Sequence, residues 1–325
     1  MDRANRLRLP ILSLVAFSII ASVSTGFAKP KKPLPKGTPV LWRKPTDLAS
    51  RDLYLGPGGL AMRPDLRRIT LIKQEQGGYS TKYRVRDGSG REWVAKIGKE
   101  AQSETSAVRL LWGLGYQTEI NYLVPSVHIP GKGTFQNVRF EARPGDVKRL
   151  YEWKWDRNPF VGTREFQGLK VMMVLLNNWD IKDSNNQILY AHGNSGDELR
   201  YIISDLGATF GHSSSIPILW RIMRSRNNPT KYAKAGFLDD VKDNRVSFHY
   251  HGKRDSLFND ITIQDAEWMG SLLAKLSDRQ LRDAFRAANY TPAQINLLTR
   301  AVRDRTSELL NLHTNDRLGR NREVR

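Results

Sequence analysis

The sequence contains no cysteine. That excludes structural disulfides, thiolate zinc sites, cysteine nucleophiles and lipid attachment through an N-terminal cysteine. It leaves the compartment open, because proteins of oxidising compartments also fold without disulfides. After residue 23 no apolar run reaches the length needed to span a bilayer. There is no internal repeat, no G-x-S-x-G and no G-x-x-x-x-G-K-[ST]. Nucleophile-elbow hydrolases and P-loop enzymes therefore lack their signatures here. Acidic residues are also in deficit: 33 Asp and Glu against 52 Lys and Arg give +19.

What is present begins with a leader. Arg3, Arg6 and Arg8 form a basic start, residues 9–23 are apolar, and Gly26-Phe27-Ala28 supplies small residues for a signal peptidase. This pattern predicts export to a periplasmic or extracellular location, with cleavage after Ala28. The opposing reading is a retained anchor, and the serines interrupting the apolar run make it short for one. Losing residues 1–28 removes three Arg and one Asp and leaves +17. Such a chain is drawn to anionic surfaces and acceptors, including peripheral contact with an envelope. The basic residues are interspersed with acidic ones, with no compact basic arm, and export argues against nucleic acid as the partner.

The mature chain divides by composition. Residues 29–67 read as a Lys/Pro-rich linker and N-terminal extension, with 29–40 extended rather than packed. Leu55-Gly56-Pro57-Gly58-Gly59 reads as a plain loop. From residue 68 the pattern alternates. Strands are expected near 69–73, 82–86 and 92–97, with Asp87-Gly88-Ser89-Gly90 as a hairpin turn. A helix follows over 101–112, then strands near 122–129 and 134–142. Arg143-Pro144-Gly145-Asp146 breaks the pattern where a hinge between lobes belongs. An apolar helix follows over 166–176, then a loop at 177–187, a strand near 187–190, a turn at 191–198 and a strand at 200–204. Thr262-x-x-Asp265, Ser277-x-x-Gln280 and Thr291-Pro292 open three helices. The implied domains are 68–145 and 146–312, followed by a polar tail at 313–325. The fold class is α+β: a small antiparallel β-sheet lobe with one helix, and a larger, mainly helical lobe.

Five features carry chemistry. Gly77 and Gly78 sit in the first strand turn, where backbone N–H groups can approach phosphate. Lys96 ends the third strand, and a lysine among apolar neighbours needs a partner. Glu104 on the next helix can supply it, with Glu100 as a substitute. Asp180, Lys182 and Asn185 form D-x-K-x-x-N in a loop. Asp180 would orient an acceptor hydroxyl, Lys182 would neutralise charge on a transferring phosphoryl group, and Asn185 would offer a hard cation its amide oxygen. Asp205 follows an apolar strand in Asp205-Leu206-Gly207, the natural place for a second metal ligand. Taken singly, each has a bland alternative: an ordinary turn, a snorkelling edge lysine, a polar loop, a turn aspartate.

Together, Val94-Ala95-Lys96, Asp180-x-Lys182-x-x-Asn185 and Asp205-Leu206-Gly207 resemble the strand lysine, catalytic loop and metal-binding segment of the protein-kinase-like superfamily. The resemblance covers roughly residues 68–312. It implies a two-lobed kinase-like fold with ATP and Mg2+ or Mn2+ between the lobes, and γ-phosphoryl transfer to a hydroxyl acceptor. Asn178-Trp179-Asp180 stands where the family has His-Arg-Asp, Leu206 replaces the family's Phe, and neither G-x-G-x-x-G nor A-P-E is present. The chain is thus similar to atypical members: HipA-like, phosphatidylinositol-kinase-like and secretory-pathway kinases. The departures bear on peptide recognition and leave the nucleotide-binding core. Two other functions remain open at this point. One is a catalytically inactive binding module, favoured by the scarcity of ATP outside the cytoplasm. The other is nucleotidyl transfer from the same cleft.

His249-Tyr250-His251 lacks a third clustered ligand, Trp153-Lys154-Trp155 suits packing, and Ser213-Ser214-Ser215 suits a polar loop.

Overall fold

A computed structural model describes residues 33–77, 80–193, 195–213 and 223–312. Residues 1–32, where a leader was expected, Gly78, Ser214, Ser215 and the tail at 313–325 lie outside the described residues. From Pro35 onward the chain forms one unit.

Alternation drives the first sheet. β2 (Thr70–Glu75), β3 (Thr81–Arg86), β4 (Glu92–Ile97), β5 (Asn121–Ile129) and β6 (Gly133–Ala142) form an antiparallel sheet in the order β2-β3-β4-β6-β5. Tyr83, Val85, Trp93, Ala95 and Phe140 bury one face as a core of their own. The period-2 rule sends Val94 and Lys96 to the opposite face. Asp87 shapes the β3–β4 hairpin. Its carboxylate accepts from the backbone N–H of Ser89 at 2.9 Å and Arg91 at 3.0 Å, and from the Trp93 indole at 2.9 Å.

α1 (Glu100–Gly113) is buried along most of its length. Its apolar residues Ala107, Leu110 and Leu111 join the larger core, which includes α2 (Arg164–Leu175), α4 (Ile263–Ala274), α5 (Asp278–Arg286) and α6 (Pro292–Leu310). α1 is thus packed between the sheet and the helical half. The three C-terminal helices start at Thr262, Ser277 and Thr291, each with a complete capping box. The architecture is α+β: an antiparallel sheet with one helix, followed by a mainly helical half. No helix among the described residues is long and apolar enough to cross a membrane.

Three stretches differ from expectation. The end of the expected linker forms β1 (Thr38–Val40), which pairs in parallel with β9 (Gly196–Ile203). Pro39 is tolerated because the strand lies at a sheet edge. The extension after it is packed: Leu41, Leu48 and Leu53 enter the large core, and the Trp42 indole donates to Leu114 O at 2.7 Å. The expected turn at 191–198 is mostly strand. β8 (Asn186–Gly193) and β9 pair along their whole length, and β7 (Lys148–Arg149) completes the sheet order β1-β9-β8-β7. Finally, α3 (Pro229–Lys234) and the hairpin β10 (Leu238–Lys242)–β11 (Arg245–Phe248) had no counterpart in the sequence reading. β10 is mostly exposed, so its pattern carries no apolar alternation to read.

Candidate functional site

The site assembles where β4, α1 and the ends of β8 and β9 meet. Lys96 Nζ lies 2.8 Å from Glu100 Oε1, 3.0 Å from Glu104 Oε2 and 3.8 Å from Asp205 Oδ1. Both glutamates weighed as its partner therefore contact it. Burial works against charge on both sides of this cluster and pushes the Glu104 carboxyl up. On Lys96, attraction to Glu104 and Asp205 outweighs burial and holds the ammonium above its ordinary value. Lys96 is therefore a fixed cation at neutral pH. For Glu100 burial is again opposed, here chiefly by Lys96, and its carboxyl is lowered to about 2.

Asp205 follows β9 directly. Its Oδ1 accepts from the N–H of Gly207 at 3.0 Å, and its own N–H donates to Asn185 O at 3.1 Å. Its side chain is 45% exposed, so the carboxylate is open to a ligand. Gly207 explains why Asp205-Leu206-Gly207 can lie against α1. A Cβ at Gly207 would sit 2.8 Å from Glu100 Cβ, and Ser103 Oγ donates to Gly207 O at 3.1 Å. Gly207→Ala is expected to force the segment off α1, at a cost of about 1–3 kcal/mol. Chemical denaturation would measure that loss, and an unchanged midpoint would refute the close approach.

The loop after α2 holds the other groups. Asn185 Nδ2 donates to Asp180 O at 2.7 Å, which leaves the amide oxygen as its available donor atom. The Asp180 carboxylate is gripped on both oxygens, by Lys253 Nζ at 2.7 Å and Lys182 Nζ at 2.7 Å. Burial raises its pKa, but the two lysines outweigh that and hold it below the ordinary carboxylate value. Lys182 is thus beside Asp180 as well as near the cavity. Gly77 lies in the β2–β3 turn at φ +86, a conformation that favours glycine.

Lys96, Asp180, Lys182, Asn185 and Asp205 line a 430 Å³ cavity, whereas Glu104, behind Lys96, and Gly77 are not part of its lining. Lys82, Lys96, Lys182, Arg224, Arg226 and Lys253 face it with Glu100, Asp180 and Asp205, an excess of three positive charges. Its volume lies within the range of ligand sites, but its lining is polar rather than apolar, as suits a polyphosphate. Asp205 and Asn185 offer two hard oxygen donors. A magnesium-type ion fits such a pair, because it takes its remaining ligands from water and phosphate oxygens. Among the described residues no group of three or more His, Asp or Glu forms a self-sufficient cage.

Sequence reasoning missed several neighbours. Lys253 arrives from beyond β11, held where its N–H donates to Trp179 O at 2.9 Å. Arg226 forms an ion pair with Glu100 and stacks on Trp179 at 5.0 Å. Arg139, opposite Lys96 in the β4–β6 register, holds Glu104 from behind at 3.1 Å and Glu141 at 2.7 Å. Neither a motif nor a local period marks these residues. Among the features set aside, His249 pairs with Asp239 at 2.8 Å, and Trp153 and Trp155 pack together in the core with ring centroids 5.0 Å apart.

No protein-family model and no curated protein matches the sequence. Five solved chains match in structure. One is the Helicobacter pylori proinflammatory kinase CtkA, with a TM-score of 0.45 and 12% identity, over 77% of this chain and 96% of that chain. At that identity the likeness assigns no residue a role.

Proposed function

We propose that the chain is an exported, metal-dependent, kinase-like phosphotransferase that moves the γ-phosphoryl group of ATP to a hydroxyl acceptor. The observation that carries this reading is the convergence of Lys96, Asp180, Asn185 and Asp205, from separate elements, on one cationic cavity, with Lys96 Nζ 3.8 Å from Asp205 Oδ1.

In this reading the nucleotide lies between the lobes proposed at 68–145 and 146–312. Lys96, kept in place by Glu100 and Glu104, grips the inner phosphates. Asp205 and Asn185 would hold the metal ion, which supplies charge neutralisation at the phosphate oxygens. Asp180 receives the acceptor hydroxyl as a hydrogen-bond donor. As the acceptor oxygen bonds to phosphorus and the bridging P–O bond breaks, the hydroxyl proton passes to Asp180 and ADP carries away the bond's electrons. Gripped by two ammonium groups, Asp180 is a weak base, so its main contribution is orientation. Lys182 and Lys253 stand beside it to offset charge on the transferring group. The basic mature surface favours an anionic acceptor.

The test is metal–nucleotide binding by thermal shift on the mature chain, with Asp205→Ala alongside. ATP with Mg2+ or Mn2+ should raise the melting temperature of the wild type. Asp205→Ala should weaken that response by at least about 100-fold in nucleotide concentration. Its unliganded melting temperature should hardly move, since Asp205 is part-exposed and Lys96 keeps two closer partners. An equal response in both proteins would sink the proposal. Product mass separates phosphoryl from nucleotidyl transfer.

A further inference from the structure

The loop that carries Asp180 does not satisfy its own backbone. Asn178 and Trp179 are 1% and 2% exposed, so their carbonyl groups need partners from within the protein. Both partners come from one short segment, residues 250–254, which follows β11. The Tyr250 hydroxyl donates to Asn178 O at 2.8 Å, and the Lys253 N–H donates to Trp179 O at 2.9 Å. Side chains continue the contact. Lys253 Nζ lies 2.7 Å from Asp180 Oδ1, and Arg254 Nη2 donates to Asp183 Oδ2 at 2.7 Å. The segment therefore holds the loop at residues 178, 179, 180 and 183.

The segment is itself fixed. Tyr250 is buried and packs edge-on against Phe258, with ring centroids 4.6 Å apart. At Gly252 a Cβ would collide with the Tyr250 hydroxyl and stand 2.8 Å from Trp179 Cα, so the lack of a side chain is what lets the segment lie this close to the loop. Arg254 adopts a left-handed conformation at φ +54, which costs a non-glycine residue energy and persists only where its surroundings hold it. Here it is held by Asp183, whose other oxygen accepts from the N–H of Trp155 at 3.2 Å.

Between these anchors Lys253 reaches the 430 Å³ cavity beside Asp180. Lys96 and Asp205 are placed by β4 and β9 instead, and Asn185 is tied to the end of β9, where its carbonyl accepts from the Ser204 N–H at 2.7 Å. Asp180 and Lys253 thus form a unit that can loosen without moving the groups assigned to nucleotide and metal.

We infer that residues 250–254 brace this loop, with Tyr250 and Arg254 as positioning residues that fix Asp180 and Lys253 against the transferring group. The inference rests on the phosphotransfer reading and adds to it a second segment that no motif marks. The brace acts on the transition state rather than on bound nucleotide, because a misalignment of about 1 Å at the reacting group costs rate while leaving ground-state contacts elsewhere intact.

The experiment compares, by calorimetry on the mature chain, the binding of Mg2+–ADP with and without fluoroaluminate, a mimic of the transferring phosphoryl group. It needs neither turnover nor an identified acceptor. In the wild type fluoroaluminate should tighten ADP binding by at least about 100-fold. Tyr250→Phe keeps the packed ring, and Arg254 is exposed, so both sites accept substitution. Tyr250→Phe and Arg254→Ala should each cut the gain by about ten-fold or more, while ADP binding without the mimic stays within about three-fold. Arg254→Lys, which gives Asp183 a cation again, should recover most of the gain. A full gain in either Tyr250→Phe or Arg254→Ala overturns the brace and leaves the proposed function standing. So does a gain lost together with ADP affinity, or one that Arg254→Lys fails to recover. A wild type that binds Mg2+–ADP with no gain from the mimic also overturns it. A wild type that binds no metal–nucleotide complex removes the proposed function and the brace with it.

Discussion

Arg139→Ala is expected to destabilise the folded chain by about 3–5 kcal/mol, the cost of leaving buried carboxylates without their cation. Arg139 is 3% exposed and sits among Glu104, Glu119 and Glu141, themselves nearly inaccessible. Its loss leaves Lys96, Arg143 and Arg149 to neutralise all three. On a chain of this size the melting temperature should drop by about 10 °C. The exposed pair Arg67–Asp65 serves as the control: Arg67 is 90% exposed, and Arg67→Ala should leave the melting temperature close to that of the wild type. The pH dependence fixes the cause. Without Arg139 the buried carboxylates have folded-state pKa values above their unfolded value of about 4.3. Such groups favour the folded state below that value and lose the advantage as pH rises through the folded one. The deficit of Arg139→Ala should therefore be largest near neutral pH and shrink toward pH 4. A pH-independent deficit would point to lost packing instead.

The same cluster shows what was legible in the sequence. Lys96 and its glutamates could be read because they are local: a lysine ending an apolar strand, followed within one and two helical turns by Glu100 and Glu104. Asp180, Asn185 and Asp205 could be read because each lies at the end of a strongly apolar element, where a polar residue stands out. Arg139 could not. Its position opposite Lys96 depends on β4 pairing with β6 across an intervening helix and strand, and Arg139-Phe140-Glu141 alone looks like an ordinary alternating strand with one solvated face. That face is buried by α1, a tertiary fact with no local trace. Lys253 was hidden for a similar reason, since it reaches Asp180 from a segment that follows a mostly exposed hairpin. β1 was masked by composition. Its three residues sit in a Lys/Pro-rich context, and only the free edge of β9 makes them a strand.

Asp180→Asn should separate chemistry from binding. The substitution keeps the shape of the side chain and removes the charge that, on the proposed reading, orients the acceptor hydroxyl and then receives its proton, so turnover should fall by about 10²–10⁴-fold. Affinity for the metal–nucleotide complex should stay within about three-fold, because Asp205, Asn185 and Lys96 are untouched. Stability should also change little. Lys182 and Lys253, which lose their carboxylate, are 40% and 37% exposed, so water solvates the freed ammonium groups. This contrast with Arg139→Ala follows from burial alone: the same kind of ion pair is costly to break in the core and cheap to break at the cavity mouth. Single-turnover measurements with saturating ATP would read the transfer step directly, and thermal shift would read nucleotide affinity. Turnover within ten-fold of the wild type would remove Asp180 from the reaction. A matching collapse of nucleotide affinity would make it part of the nucleotide site, with the acceptor hydroxyl oriented by another group.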